Sequence, residues 1–169
     1  MTLLGALLLV VAAGLLGERA AAWERYKLDL LENLLVGLLV LRAEIDYLAT
    51  DLAAAMRRAA GAAPAAAELF AGMAEELAVP GMAAGPAWRR VVGRWCRRKR
   101  LDGRLPGILS RLEAAFGPWQ AAEVVRHLEL VQKLLIQERD ERRAKLDGTV
   151  RLWRYLGICG GLTAALLLC

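Results

Sequence analysis

The sequence predicts an all-α protein, a compact cytoplasmic helical bundle flanked by N- and C-terminal transmembrane helices. Three observations carry that prediction. Leu and Ala supply 65 of the 169 residues, against 19 for Val, Ile and Thr together. That balance favours helix, because Ala and Leu lose little freedom on entering one while β-branched side chains lose χ1 rotamers. Every charged side chain lies between Glu18 and Arg154, so residues 2–17 and 155–169 carry none. Between these ends, apolar residues recur three and four apart, the spacing of one helix face.

The length suits about one domain, and the composition excludes several classes. Three cysteines, an odd number, do not make a disulfide scaffold in a chain of this size. Cys96, Cys159, Cys169 and the only histidine, His127, lie far apart and form no CxxC, so a Cys/His zinc site is not expected. Ser110 and His127 are the only residues of their types, and they read as ordinary helix residues rather than as parts of a catalytic triad. No Walker motif or GxGxxG is present, and Glu44 and Asp46, two apart, do not share a helix face as a carboxylate pair would. The sequence therefore suggests no enzyme activity and no cofactor.

Residues 1–17 are assigned as the first transmembrane helix and 155–169 as the second, with 18–154 between them as the cytoplasmic bundle. At 1.5 Å per residue each apolar run spans roughly 22–24 Å, short of the roughly 30 Å hydrocarbon core. Arg19, Arg151 and Arg154 could snorkel to absorb the mismatch, and Trp23, Trp153 and Tyr155 stand where interfacial aromatics belong. A cleaved secretory signal is the rival for the first run, with Ala20-Ala21-Ala22 as its site, but no Lys or Arg precedes the apolar stretch. A buried core helix is the rival for the second, and the LLLC ending without a polar tail argues against it. Arg19, Arg25 and Lys27 after the first run, and Arg142, Arg143, Lys145, Arg151 and Arg154 before the second, place the middle of the chain in the cytoplasm. Ala13 and Gly17, and Gly157 and Gly161, are spaced to let helices approach closely in lipid, although small residues also abound in membrane helices generally.

Within the bundle, Leu31, Leu34, Leu38, Leu41, Ile45, Leu48, Leu52 and Ala55 predict one long helix ending near Gly61. Leu35, Val36, Leu39 and Val40 widen its stripe and predict burial on more than one side. Residues 65–79 read as a helix stopped by Pro80-Gly81. Residues 87–100 follow Gly85-Pro86, and residues 107–116 end at Gly117-Pro118. The last element runs from about Trp119 to Arg154, striped by Val124, Leu128, Val131 and Leu135. From Gln137 to Lys145 the stripe lapses, which predicts a solvated stretch with Glu138/Arg142 and Glu141/Lys145 spaced for ion pairs.

One feature stands out as a functional candidate. Arg89, Arg90, Arg94, Arg97, Arg98, Lys99, Arg100 and Arg104 place eight basic residues in sixteen positions, with Asp102 the only acid and Trp88 and Trp95 interleaved. Such a cluster can dock an acidic protein surface, hold anionic headgroups, or neutralise nucleic-acid phosphates, and it can also be a plain solvated face. No nucleic-acid fold signature accompanies it, which places that partner low.

Three stretches carry a family resemblance. They are the text from Leu38 to Leu52, LLVLRAEIDYLATDL; the break at Phe116-Gly117 before a long helix from Gln120 to Lys145; and the run RLWRYLGICGGLTAALLL. Together with the two-ended layout, the chain resembles the stage III sporulation protein AB family over essentially its whole length. It departs from that pattern in Asp51, where the loop often has proline, in the Ala-rich 59–67 stretch and in the dense Arg cluster. The resemblance implies a helical bundle like the cytoplasmic domain of the type II secretion F platform protein. It implies a non-enzymatic platform in the mother-cell membrane around the forespore, and as partners a cytoplasmic secretion-type ATPase and other stage III sporulation membrane proteins. Homo-oligomerisation is left open. In this picture the Arg cluster is the candidate docking surface, by charge complementarity, and reversing Arg94, Arg97 and Arg98 to Glu is expected to weaken ATPase binding without unfolding. The alternative is a membrane-tethered nucleic-acid-binding module using the same cluster.

Overall fold

In the computed structural model, the apolar spacing of the sequence becomes seven α-helices among the described residues. They are α1 (Thr2–Asp46), α2 (Leu52–Ala62), α3 (Ala67–Leu77), α4 (Ala84–Arg98), α5 (Leu105–Ser110), α6 (Leu112–Ala115) and α7 (Ala121–Leu168), with a 3-10 turn at Pro64–Ala66. The structure describes residues 2–46, 51–101, 103–116 and 121–168, and along α1 and α7 the side chains of Arg19 and of 22–46 and 122–145. Among the described residues every regular element is helical, and no helix is long and apolar enough to cross a membrane. The side chains of the two terminal apolar runs lie outside those described, and with them Ala13, Gly17, Gly157 and Gly161; so does the helix stop at Gly117-Pro118.

The chain divides into two units, one made of Met1–Leu28 and Asp140–Cys169, the other of Asp29–Arg139. In the first unit, Arg142 donates to Glu24 at 3.3 Å, joining α7 to α1. Trp23 stacks on Tyr26 with ring centroids 5.6 Å apart, and the Lys27 ammonium lies 5.3 Å from the Trp23 ring.

The second unit holds the core. Leu31, Leu34, Leu38 and Leu41 of the expected α1 seam are buried, and so are Leu128, Val131 and Leu135 of α7. Met56, Phe70, Met73 and Trp88 complete the interior from α2, α3 and α4. The second face expected to be buried on α1 is so only in part: Leu35 packs partly buried against the core and Val40 is half-buried, whereas Val36 is 45% exposed and Leu39 59%. The seam provides most of the packing, and no described element covers Val36 and Leu39. Three polar contacts fix α1 against its neighbours. Asn33 Oδ1 accepts from the Ala65 N–H at 3.1 Å, so a helix side chain caps the 3-10 turn from across the bundle. Glu44, only 7% exposed, accepts from one Arg58 nitrogen at 2.6 and 2.9 Å. Arg42 reaches Glu129 of α7 at 2.6 Å.

Two helices expected to be continuous are each split in two. The long helix expected to run to Gly61 is two, because Asp51 caps α2 by accepting from the Ala53 and Ala54 N–H groups at 3.2 and 3.4 Å. An acid at an N-cap satisfies donors that helix continuation would otherwise satisfy. The 107–116 helix is also two, broken at Arg111, whose N–H bonds three residues back to Ile108 O at 3.2 Å. The stretch after Gln137 is less solvated than expected: Glu138 is 7% exposed.

Candidate docking face

The candidate face is built on α4. Its N-terminus follows from Gly85 and Pro86, a proline tolerated there because the first-turn N–H groups have no helical acceptor. Ala87, Trp88, Val91, Val92, Trp95 and Cys96 form its buried side. Trp88 Nε1 donates to Leu109 O at 2.7 Å and the ring meets Phe116 edge-on, centroids 5.3 Å apart. The Trp–Arg interleaving in the sequence is therefore the helical period seen end to end, aromatics inward and guanidiniums outward. Burial pushes the Cys96 thiol up, which keeps it an inert core group.

The outward side is less bare than its charge count suggests. Arg89 makes a two-pronged contact with Glu113 of α6, Nε donating to Oε2 at 2.7 Å and Nη2 to Oε1. Glu76 of α3 stands between Arg90 and Arg94, at 3.0 and 2.8 Å. Glu68, also of α3, lies 3.7 Å from Arg98 and 3.4 Å from Lys99. Arg104 is engaged as well. Arg97 and Arg100 are exposed and carry no ion pair among the described residues. Eight cations are thus brought onto and just beyond one helix, and acids from α3 and α6 match five of them. These acids are distant in sequence, so the cluster as read along the chain overstates the charge on offer.

The pairing shifts titrations. Hydrogen bonding to Arg90, above the other influences, holds the Glu76 carboxyl below its ordinary 4.5, and the Arg89 contact does the same for Glu113. Below about pH 4.5 the unfolded chain binds protons that the folded chain refuses. The stability these carboxylates add is therefore complete above that pH and lost as pH falls through the lowered folded values. A Glu76→Gln variant is expected to show a flatter loss of stability with acid than wild type, read as urea midpoints between about pH 6 and pH 3. An unchanged acid limb would show that the Arg90–Glu76–Arg94 contacts are not formed in solution.

At its C-terminus α4 closes in a Schellman motif. The Leu101 N–H bonds to Cys96 O at 2.9 Å, the Arg100 N–H to Arg97 O at 3.3 Å, and Arg100 takes a left-handed φ of 51°. No sequence signal marked this turn, since its left-handed position holds Arg where Gly is usual.

The structure does not bring Ser110 and His127 together among the described contacts. The Ser110 hydroxyl donates to Gly107 O at 2.8 Å and His127 Nδ1 lies 2.9 Å from Glu123 O, each engaged with backbone of its own segment. Among the described residues no group of three His, Cys, Asp or Glu side chains is placed to hold a metal ion.

A family model described as Stage III sporulation protein AB matches residues 2–169. The chain belongs to the stage III sporulation protein AB family. It is thus a sporulation protein, and family membership points to other stage III sporulation proteins as its partners. A solved structure titled "Stage III sporulation protein AB (SpoIIIAB)" is similar to it, with a TM-score of 0.63 and 21% identity, covering 70% of this chain and 94% of that one. At that identity the likeness speaks to the stage III AB fold. No curated protein matches the chain in sequence.

Proposed function

We propose that the chain is a membrane-anchored, non-enzymatic platform component of the mother cell-to-forespore transport complex. The two uncharged ends hold it in the mother-cell membrane, and its bundle docks a cytoplasmic secretion-type ATPase on the outward side of α4. What supports this reading most is the family match over residues 2–169, which takes in both apolar runs as well as the helices between them. The basic residues beside each run favour a cytoplasmic bundle by the positive-inside rule. The stiff mounting of α4, with tryptophans locked in the core beneath its guanidiniums, suits it to presenting charge to a partner.

The test is a detergent pull-down of tagged full-length protein from sporulating cells, treated with nuclease and read by mass spectrometry. Recovery of the ATPase together with sister stage III membrane proteins is expected. Recovery of neither, with nucleic acid lost on nuclease treatment, overturns the platform reading in favour of a tethered nucleic-acid binder. The triple reversal at Arg94, Arg97 and Arg98 is a poor probe of docking, because Arg94 and Arg98 face Glu76 and Glu68 and their reversal would set acid against acid within the bundle.

A further inference from the structure

We infer that Arg97, in the last turn of α4, and Arg100, just beyond it, bind carboxylates on an acidic protein segment, and that Arg100 is a specificity-determining residue held there at the expense of stability. The inference rests on the reading of α4 as a protein-docking face and narrows it from eight residues to two.

Three observations carry it. The first is pairing: Arg89, Arg90, Arg94, Arg98 and Lys99 already face carboxylates of α3 and α6 and Arg104 is engaged, whereas Arg97 and Arg100 have no ion pair among the described residues. A cation bound to an internal acid offers a partner little net charge. The second is backbone strain. Arg100 holds φ at 51°, the left-handed position of the Schellman turn. Glycine occupies such positions at no steric penalty, and a long side chain there is a departure that calls for a functional reason. The third concerns Gly93, one helical turn before Arg97, where a Cβ would stand 3.7 Å from Arg97 Nη1. The Arg97 guanidinium therefore lies back along α4 beside a residue with no side chain, on the exposed side of the helix.

The chemistry favours carboxylates over a polyanion. The same helix shows the matching mode twice, with Glu113 held by Arg89 and Glu76 held between Arg90 and Arg94. Two cations near one helix end, with no ion pair among the described residues, suit a pair of acidic side chains. A duplex or an anionic bilayer is bound through a long run of phosphate contacts, and along α4 that run is interrupted by Glu76, Glu68 and Glu113.

The test uses full-length protein in detergent and two probes at about 50 mM salt: a fluorescein-labelled helical peptide with glutamates three and four apart, and a labelled DNA duplex of about 20 base pairs. Wild type is expected to bind the peptide in preference to the duplex. An Arg97→Glu, Arg100→Glu pair is expected to weaken peptide binding at least 10-fold. Arg100→Gly separates binding from folding: it is expected to weaken the peptide several-fold while raising the thermal midpoint by about 2–4 °C, since glycine relieves the left-handed strain. A variant that loses neither binding nor strain, or a wild type that prefers the duplex, overturns the inference. The same charge-reversed pair in the pull-down separates the two claims. ATPase retained by the pair overturns the two-residue site and leaves the platform standing. A wild type that captures no ATPase yet binds the peptide through Arg97 and Arg100 sinks the platform and leaves the site.

Discussion

Trp88→Ala is expected to lower the stability of the Asp29–Arg139 unit by about 3–5 kcal/mol, the range for emptying a large buried aromatic site. Trp88 is fully buried, packs edge-on against Phe116, and its indole N–H is bonded to Leu109 O at 2.7 Å. The loss has two parts, a cavity and a carbonyl left without its donor. Trp88→Phe separates them, because it keeps most of the apolar volume but not the N–H; about 1–3 kcal/mol is expected from it. Urea denaturation of the detergent-solubilised protein measures both. A Trp88→Ala loss below about 1 kcal/mol would mean that α4 is not seated on α5 and α6 as described. The seating matters for function, because this tryptophan fixes the face from which every guanidinium of α4 projects.

The second large effect comes from the smallest side chain in the α1 seam. A Cβ at Gly37 would overlap Cε2 and Cζ of Phe70 and lie 3.1 Å from Cδ2. Gly→Ala in a helix normally stabilises by about 1 kcal/mol. Here the sign is expected to reverse, with a net loss of about 1–3 kcal/mol, because Phe70 is itself fully buried and cannot swing aside. Phe70→Leu in the same chain is expected to recover part of the loss, so the double variant will be more stable than the sum of the two singles implies. Thermal melts of the four proteins in the cycle decide it. A Gly37→Ala variant that melts higher than wild type removes the α1–α3 contact from the description.

Much of the bundle was legible because helix-forming residues and three-four spacing agree over long stretches. The α1 and α7 stripes landed on buried residues for that reason. What escaped was decided by atoms remote in sequence. Asp51 reads as one more polar residue until its carboxylate is seen capping α2. Val36 and Leu39 extend the stripe on paper, but burial depends on whether another element arrives to cover them, and among the described residues none does. The basic cluster was legible as a cluster but not as a site: Glu68, Glu76 and Glu113 lie on other helices, and only folding reveals which cations they neutralise. Glu44 and Glu138 were equally opaque, since nothing local distinguishes a buried acid from a solvated one. Family membership was readable from the RLWRYLGICGG run, because a particular order of unlike residues is harder to reach by composition alone than any helix stripe.

The smaller unit has a consequence in time. It joins two segments far apart in the chain, and its Arg142–Glu24 bond closes a sequence separation of 118 residues. A ribosome adding 5–20 residues per second takes on the order of ten seconds to cover that stretch. Helices α2 to α6 meet near neighbours and can pack while synthesis continues. The segment that carries Trp23, Glu24 and Tyr26 waits throughout that interval for a counterpart that does not yet exist.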